Sequence, residues 1–115
     1  MATGSVVVVG GTRGLGREVA QYYADAGRDV VVTGREQAAC ATCAAEIGGS
    51  TRAVAFDLSE PETIAAALAD VGDVQHIVLA AIERDSNSVK EYDIAAAVRL
   101  VTLKLVGYTE VIHAL

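Results

Sequence analysis

A run of four valines followed at once by a glycine-rich segment constrains this chain more than any other feature. Val6 to Val9 are β-branched and uninterrupted, which is typical of a strand buried on both faces of a parallel sheet. Glycines follow at Gly10, Gly14 and Gly16, where a helical pattern begins. The first N–H groups of a helix have no partner within it, and the helix dipole is positive there. This strand–turn–helix therefore predicts a site for the pyrophosphate of a dinucleotide, because glycine leaves room for phosphates and permits the turn.

Length and composition predict one small domain that spans residues 1–115. The chain is 52% hydrophobic but 4% aromatic, so its core consists of small aliphatic side chains, which suit helices packed on a parallel sheet. A net charge of −6 argues against nucleic acid as a partner, since a phosphate backbone requires a basic surface. The sequence shows no signal-peptide pattern and no apolar stretch of membrane-spanning length. We therefore expect a cytoplasmic protein without membrane contact.

Strand-like and helical segments alternate along the chain, which predicts right-handed βαβ units and a parallel sheet. The predicted strands are residues 5–9, 29–33, 52–56 and 76–81. The predicted helices are residues 14–26, residues 36–47, a helix that opens at Ser59 and ends at Gly72, and a long helix that begins at Val89 or Asp93. For the third helix we predict a capping box, in which Ser59 caps the N-terminus and Glu62 reaches back.

The long last helix carries an apolar stripe at spacings of four and three residues. Its members are Ile94, Val98, Val101, Leu105, Tyr108, Ile112 and Leu115. We expect most of this stripe to pack on the sheet. Residues beside the stripe are apolar as well, namely Leu100, Leu103, Val106 and Val111. The wide apolar surface therefore suggests a second packing partner.

Two cysteines form a single C-x-x-C, Cys40 and Cys43, inside an alanine-rich helical stretch. A redox pair normally lies at a helix N-terminus, where the dipole lowers the pKa of a thiol. A zinc site needs four ligands, and His76 and His113 are distant in sequence. We therefore predict two inert packing thiols and no metal site.

The segment of residues 10–16, GGTRGLG, resembles the T-G-x-x-x-G-[IL]-G signature of the short-chain dehydrogenases/reductases, with Val9 where that family usually has threonine. The resemblance continues through the 115 residues but covers only the first half of the family's usual domain. It implies an α/β fold, a Rossmann-like parallel sheet of about four strands in the order 3-2-1-4, with helices on both faces and a long C-terminal helix. It also implies a set of cofactor-binding residues in the glycine turn, namely Gly10, Thr12, Arg13, Gly14, Leu15 and Gly16.

The residues after the second predicted strand bear on which dinucleotide is bound. NAD sites place an acidic residue about 20 residues after the glycine turn, where it binds the ribose 2′-hydroxyl. Gly34 occupies that place here and Arg35 follows it, while Arg13 can approach the same ribose from the glycine turn. Two guanidinium groups suit a 2′-phosphate, the alternative being that both are solvated surface charges. We predict NADP as the cofactor in preference to NAD.

Two further strand ends are implicated by the resemblance. Asp57 and Leu58 resemble the family's adenine-contacting pair, although the carboxylate can equally cap the following turn. After the fourth strand the family usually has N-N-A-G, whereas this chain has Ala80 and Ala81 without asparagine or glycine. We predict that the backbone there still passes close to the nicotinamide ribose.

The family's catalytic pair is absent from this chain. Family chemistry is hydride transfer assisted by a tyrosine with a lysine four residues later and a serine beside it. None of the four tyrosines has a lysine at that spacing: Tyr22, Tyr23, Tyr92 and Tyr108. Lys104 replaces a family asparagine, and we interpret it as a surface charge, the alternative being a role near the nicotinamide. We predict no catalytic residue, and we expect this chain to be inactive alone, like an interrupted protein.

Three hypotheses describe the function. The first is the NADP-binding half of a short-chain oxidoreductase, which transfers hydride to or from a carbonyl or alcohol. The second is a non-catalytic NADP-binding module that serves regulation or assembly, and the third is an interaction protein on the same scaffold. The apolar edge strand, residues 76–81, and the helix of residues 93–115 predict a homo-oligomer or a partner that supplies further strands.

Overall fold

Four parallel strands form the centre of the fold within residues 4–115, the part of the chain that the computed structural model describes. Their bounds are β1 Ser5–Val9, β2 Val30–Gly34, β3 Thr51–Ala55 and β4 Val74–Leu79. The order β3-β2-β1-β4 confirms the predicted order, and each pair is parallel. Val6 of β1 pairs with Val30 on one side and His76 on the other, so β1 is central and β4 is an edge strand.

The helices alternate with the strands as the sequence predicts. Their bounds are α1 Gly14–Asp25, α2 Gln37–Ile47, α3 Ile64–Ala67, α4 Ile94–Val101 and α5 Tyr108–Ala114. A π-helical segment, Thr102–Gly107, joins α4 to α5, and we call residues 94–114 together the terminal helix. Asp93 caps its N-terminus by accepting hydrogen bonds from the N–H groups of Ala95 and Ala96, so the second of the two predicted starts is the observed one.

Side chains alternate between the two faces of the sheet and create two cores. Val6 and Val8 face α1 and α2, where Ala20, Cys43 and Ile47 complete the first core. The second core lies on the opposite face, against α3 and the terminal helix. Its members from β1 are Val7 and Val9, which pack with Phe56, Leu58, Ile64, Leu103 and Val111 among others. Helices therefore cover both faces of the sheet, as predicted.

The predicted capping box at Ser59 is wrong. The Ser59 hydroxyl donates to Asp57 Oδ1 at 2.7 Å, and its N–H donates to the same oxygen at 2.9 Å. A 3₁₀ turn, Pro61–Thr63, follows without a side-chain cap, and α3 is only four residues long. Ser59 therefore serves the turn after β3, because its hydroxyl donates to the carboxylate two residues earlier instead of accepting from a backbone N–H of a following helix.

The expectation that the apolar stripe of the terminal helix packs on the sheet is also wrong for most of its members. Five of them are 56–67% exposed: Ile94, Val98, Val101, Leu105 and Ile112. The helix instead buries Leu103, Gly107 and Val111. Gly107 explains this choice, since a Cβ there would lie 2.4 Å from the carbonyl oxygen of Leu58. The helix packs closely on the turn after β3 along its glycine-containing face and leaves the more apolar stripe exposed.

Candidate functional site

The carboxyl ends of the strands open onto one cleft of about 800 Å³. A cleft at this edge is the usual ligand site of a doubly wound sheet. The site lies where the strand order reverses, so that the chain continues to opposite sides of the sheet. In the present order that point lies after β1, because β2 lies on one side of it and β4 on the other. The glycine turn thus occupies the middle of the cleft.

All twelve residues that the sequence predicted as cofactor-binding line this cleft. They are Gly10, Thr12, Arg13, Gly14, Leu15, Gly16, Gly34, Arg35, Asp57, Leu58, Ala80 and Ala81. Their contact with a cofactor stays a prediction, but the fold brings them together from the ends of all four strands.

The three glycines of the turn are required for different reasons. A Cβ on Gly16 would lie 2.2 Å from the carbonyl oxygen of Gly10, so glycine permits the close approach of α1 to the turn. Gly10 has φ +82°, and a Cβ there would lie 2.5 Å from the backbone nitrogen of Ala81. Gly14 has φ +62°, yet its Cβ would meet no atom within 4 Å. Gly10 and Gly16 therefore serve packing, whereas Gly14 borders open space in the cleft.

The N-terminus of α1 offers free hydrogen-bond donors to this space. Its N-cap residue, Arg13, makes no side-chain capping hydrogen bond, and the first turn contains no acidic residue. The first N–H groups of a helix need partners from outside the helix, and the dipole favours an anion there. This end of α1 can therefore bind a phosphate group without displacing a side chain.

Thr33 and Cys43 hold the glycine turn in place through hydrogen bonds to its backbone. Thr33 Oγ1 accepts from Gly10 N at 3.4 Å, and Thr33 O accepts from Gly11 N at 3.2 Å. The Cys43 thiol donates to the carbonyl oxygens of Gly11 and Thr12 at 3.7 and 3.6 Å. Burial raises the pKa of both Cys40 and Cys43, so both are protonated packing thiols, as predicted.

On the β2 side the cleft presents two exposed arginines, Arg13 and Arg35. Gly34 before Arg35 is closely packed, because a Cβ there would lie 2.9 Å from Cys40 Sγ and 3.0 Å from Thr12 Cγ2. Within residues 4–115 the carboxylate ion pairs at 4.0 Å or less involve Arg17 and Arg99, and neither Arg13 nor Arg35 forms one. Both guanidinium groups are thus free to pair with an anionic ligand.

Asp57 caps the turn after β3, one of the two roles that the sequence left open. Its Oδ1 accepts both hydrogen bonds from Ser59, and its Oδ2 lies 3.8 Å from Nη2 of Arg99. Burial alone would raise the pKa of Asp57, but the hydrogen bonds from Ser59 and the positive charges of Arg99 and Arg35 outweigh it and lower the pKa below its usual value. The carboxylate is therefore ionised and already partnered, and its contact with adenine stays a prediction.

Arg99 links the terminal helix to two strand ends, and no sequence motif identified it. Its Nε donates to Glu83 Oε1 and Oε2 at 3.0 and 2.9 Å, and its Nη1 donates to Ser59 Oγ at 2.8 Å. Its partners come from the loops after β3 and β4, which are separate in sequence, so the pattern around Arg99 alone gave no sign of the network.

On the β4 side the cleft contains Lys104 and Tyr108, so the surface-charge interpretation of Lys104 is incomplete. Its Nζ donates to the carbonyl oxygen of Ala81 at 3.3 Å and lies 3.5 Å from Tyr108 Oη. The Tyr108 hydroxyl donates to the same carbonyl oxygen. Lys104 is exposed, but its ammonium lies at the end of β4, and periodicity did not predict this because the π-helical segment changes the phase of the helix.

Comparison with known proteins decides the family. The sequence model of the short chain dehydrogenase family matches residues 4–115. The chain belongs to the short-chain dehydrogenases. Mouse dehydrogenase/reductase SDR family member 7B is 42% identical to this short-chain dehydrogenase over an alignment of 73 residues, and the match covers 57% of this chain and 23% of the mouse protein.

Solved structures of other short-chain dehydrogenases share the fold. A short chain dehydrogenase/reductase family protein superposes with a TM-score of 0.91 at 32% identity, over 96% of this chain and 47% of that one. A metagenomic short-chain oxidoreductase in complex with NADP gives a TM-score of 0.83 at 28% identity, over 97% of this chain and 55% of that one. This chain therefore spans about half the length of these structures.

No helix among residues 4–115 combines the length and apolar character needed to cross a bilayer. The same residues contain no cluster of three or more histidine, cysteine, aspartate or glutamate side chains suited to a metal ion.

Proposed function

We propose that residues 1–115 bind NADP as the nucleotide-binding part of a short-chain oxidoreductase. The observation that carries the proposal is the uncapped N-terminus of α1, which lies in the middle of the cleft beside the open space at Gly14. The pyrophosphate would lie there, with its two nucleosides on opposite sides of β1. The NADP held by the metagenomic relative, which shares the fold along nearly all of this chain, supports the proposal.

The choice of NADP over NAD rests on charge at the β2 side of the cleft. A carboxylate there would accept hydrogen bonds from the ribose hydroxyls of NAD and would repel a 2′-phosphate. The chain has Gly34 at that position, followed by Arg35, and Arg13 lines the same cleft. Neither guanidinium pairs with a carboxylate among the described residues, so a 2′-phosphate would gain charge-assisted hydrogen bonds without breaking existing ones.

Residues 1–115 contribute binding and orientation of the cofactor rather than proton transfer. In an oxidoreductase of this family, bound NADPH would supply a hydride from its nicotinamide ring to reduce a carbonyl, and bound NADP⁺ would take up a hydride from an alcohol that is oxidised. The Tyr-x-x-x-Lys pair that assists this step in the family is absent from these residues. The same absence favours the second candidate, a non-catalytic module whose NADP occupancy serves regulation or assembly.

Charge reversal at Arg35 tests the proposal. Arg35→Asp removes a charge-assisted contact worth roughly 1.5–3 kcal/mol, so the affinity for NADP should fall at least about tenfold while the affinity for NAD changes little. Arg84→Asp is the matched control, since Arg84 is exposed and lies outside the cleft. Calorimetric titration measures all three proteins with both cofactors. Equal affinities for NAD and NADP in the unmodified chain would contradict the proposal.

A further inference from the structure

Lys104 is the cation on the β4 side of the cleft, and it is held in place there. Its ammonium donates to the Ala81 carbonyl oxygen at 3.3 Å, and the same carbonyl accepts the Tyr108 hydroxyl. Lys104 Nζ also lies 5.2 Å from the centroid of the Tyr108 ring, at a distance that allows a cation–π contact. An ammonium has three N–H donors, so these contacts leave at least one for a ligand.

The backbone that carries Lys104 is unusual. Residues 102–107 form a π-helical segment, and such segments are rare and occur frequently at functional sites. Leu103 and Gly107 within this segment are buried against the sheet, and Gly107 packs against the backbone of Leu58. The segment is therefore fixed on the sheet side, while Lys104 projects from it to the end of β4.

The order of the strands determines which half of a dinucleotide would lie beside Lys104. Arg35 and Asp57 follow β2 and β3, on one side of the glycine turn, whereas Ala81 follows β4 on the other side. If the 2′-phosphate of the adenosine lies beside Arg35, the nicotinamide lies on the β4 side. Lys104 then belongs to the nicotinamide end of the cleft.

The positive charge of Lys104 is not neutralised by a carboxylate. Glu83 is two residues from Ala81, but both of its oxygens accept from Arg99 Nε at 2.9–3.0 Å. In the part of the chain that the structure describes, the carboxylate ion pairs involve Arg17 and Arg99, and Lys104 forms none within 4.0 Å. A ligand on the β4 side would therefore experience a net positive field.

We propose that Lys104, held by Ala81 and Tyr108, makes the site prefer the reduced cofactor, NADPH, to the oxidised one. This inference rests on the proposed binding of NADP. The nicotinamide ring carries a positive charge in the oxidised form and none in the reduced form, while the remaining charges of the two forms are equal. A fixed ammonium beside the ring therefore raises the free energy of the oxidised complex relative to that of the reduced complex, in which the ring is neutral.

The ratio of the dissociation constants for oxidised and reduced NADP tests this assignment in the full chain, without any turnover. The unmodified protein should bind NADPH more tightly. Lys104→Gln removes the charge and keeps a donor, so the ratio should fall by about threefold, the effect of two unit charges about 6 Å apart when water screens them fully, as it does at an exposed side chain. Lys104→Arg should retain the ratio. Lys90→Gln, which removes the same charge from an exposed residue outside the cleft, should retain it as well.

The outcomes separate this inference from the proposed function. If Lys104→Gln leaves the ratio unchanged, or weakens the binding of both forms equally, Lys104 has no role in discriminating the redox state of the cofactor. The proposed binding of NADP is not affected by that result. If the unmodified chain binds neither form, the proposed function itself is wrong, and the inference fails with it. Added salt supplies a test without substitution, because it screens the exposed charge of Lys104. In the unmodified chain it should lower the ratio of the dissociation constants for oxidised and reduced NADP.

Discussion

Gly14 is the residue at which fold and binding are most clearly separable. Gly10 and Gly16 admit no side chain, because a Cβ at either would lie 2.5 Å or less from backbone atoms. Gly14 adopts φ +62° and borders open space, so its substitution strains the backbone but displaces no neighbour. Gly27 provides a close match, with φ +80° and no atom within 4 Å of its Cβ, at the opposite end of α1 from the cleft.

This pair gives a prediction at the scale of single residues. Gly14→Ala and Gly27→Ala should each destabilise the fold by about 1 kcal/mol, because alanine is strained in the left-handed region. Only Gly14→Ala should weaken NADP binding, by at least about tenfold, since its methyl group would occupy space that the phosphates need. Thermal unfolding and calorimetric titration measure the two effects. Equal loss of NADP affinity in both variants would show that general destabilisation, and not the cleft, explains the result.

At the scale of the elements, a network of polar side chains anchors the start of the terminal helix. No residue of α4 is buried, so this helix has little apolar contact with the sheet. Arg99 joins it to Glu83 after β4 and to Asp57 and Ser59 after β3. The orientation of α4 therefore depends on ionised carboxylates, in contrast to α5, where Val111 is fully buried.

The network predicts a specific sensitivity to acid. The pKa of Asp57 is lower in the folded chain than its usual value of 3.8, so its carboxylate stabilises the fold above about pH 4 and loses this effect as the pH falls through the folded pKa. Asp57→Asn should reduce the free energy of unfolding by about 1 kcal/mol at pH 7 and by less at pH 3. Asp70→Asn, an exposed aspartate outside the network, serves as control. A difference between Asp57→Asn and the unmodified chain that is independent of pH would contradict this role.

The elements also differ in how well the sequence predicted them. The buried valine strands and the glycine turn were predicted correctly because both are local patterns with a single physical solution. The face of the terminal helix was not, because Gly107 and the π-helical segment override the 3.6-residue period. The position of Lys104 and the partners of Arg99 depend on contacts between distant segments, and no local pattern encodes these.

At the scale of the whole molecule, two surfaces within the described residues lack a pairing or packing partner. β4 pairs with β1 on one side and forms the edge of the sheet on the other. The exposed stripe of the terminal helix adds a second apolar surface, of which Val98 and Leu105 are 58% and 65% exposed. Edge strands and large apolar patches promote association with another chain. A second copy, or a partner that supplies further strands, would cover both.

We therefore predict that the isolated chain self-associates, in a way that depends on this stripe. Val98→Glu combined with Leu105→Glu should shift the chain towards the monomer without unfolding it, because both side chains are exposed. Tyr22→Glu is the control, since Tyr22 is 70% exposed on a different helix. Light scattering measures the mass of each protein. A monodisperse monomer of the unmodified chain would contradict the prediction, and association that persists in the double variant would show that the stripe does not make the contact.

We propose above all that the uncapped N-terminus of α1 binds the pyrophosphate of NADP. The most direct measurement is a titration of the isotopically labelled full chain with NADP, followed through its backbone amide NMR signals. We predict saturable shifts that are largest for the amides of Gly14, Leu15 and Gly16, with smaller shifts at Arg35 and Ala81 on the two sides of the cleft. Unchanged signals from these glycines at saturating NADP, or shifts confined to residues outside the cleft, would contradict the claim.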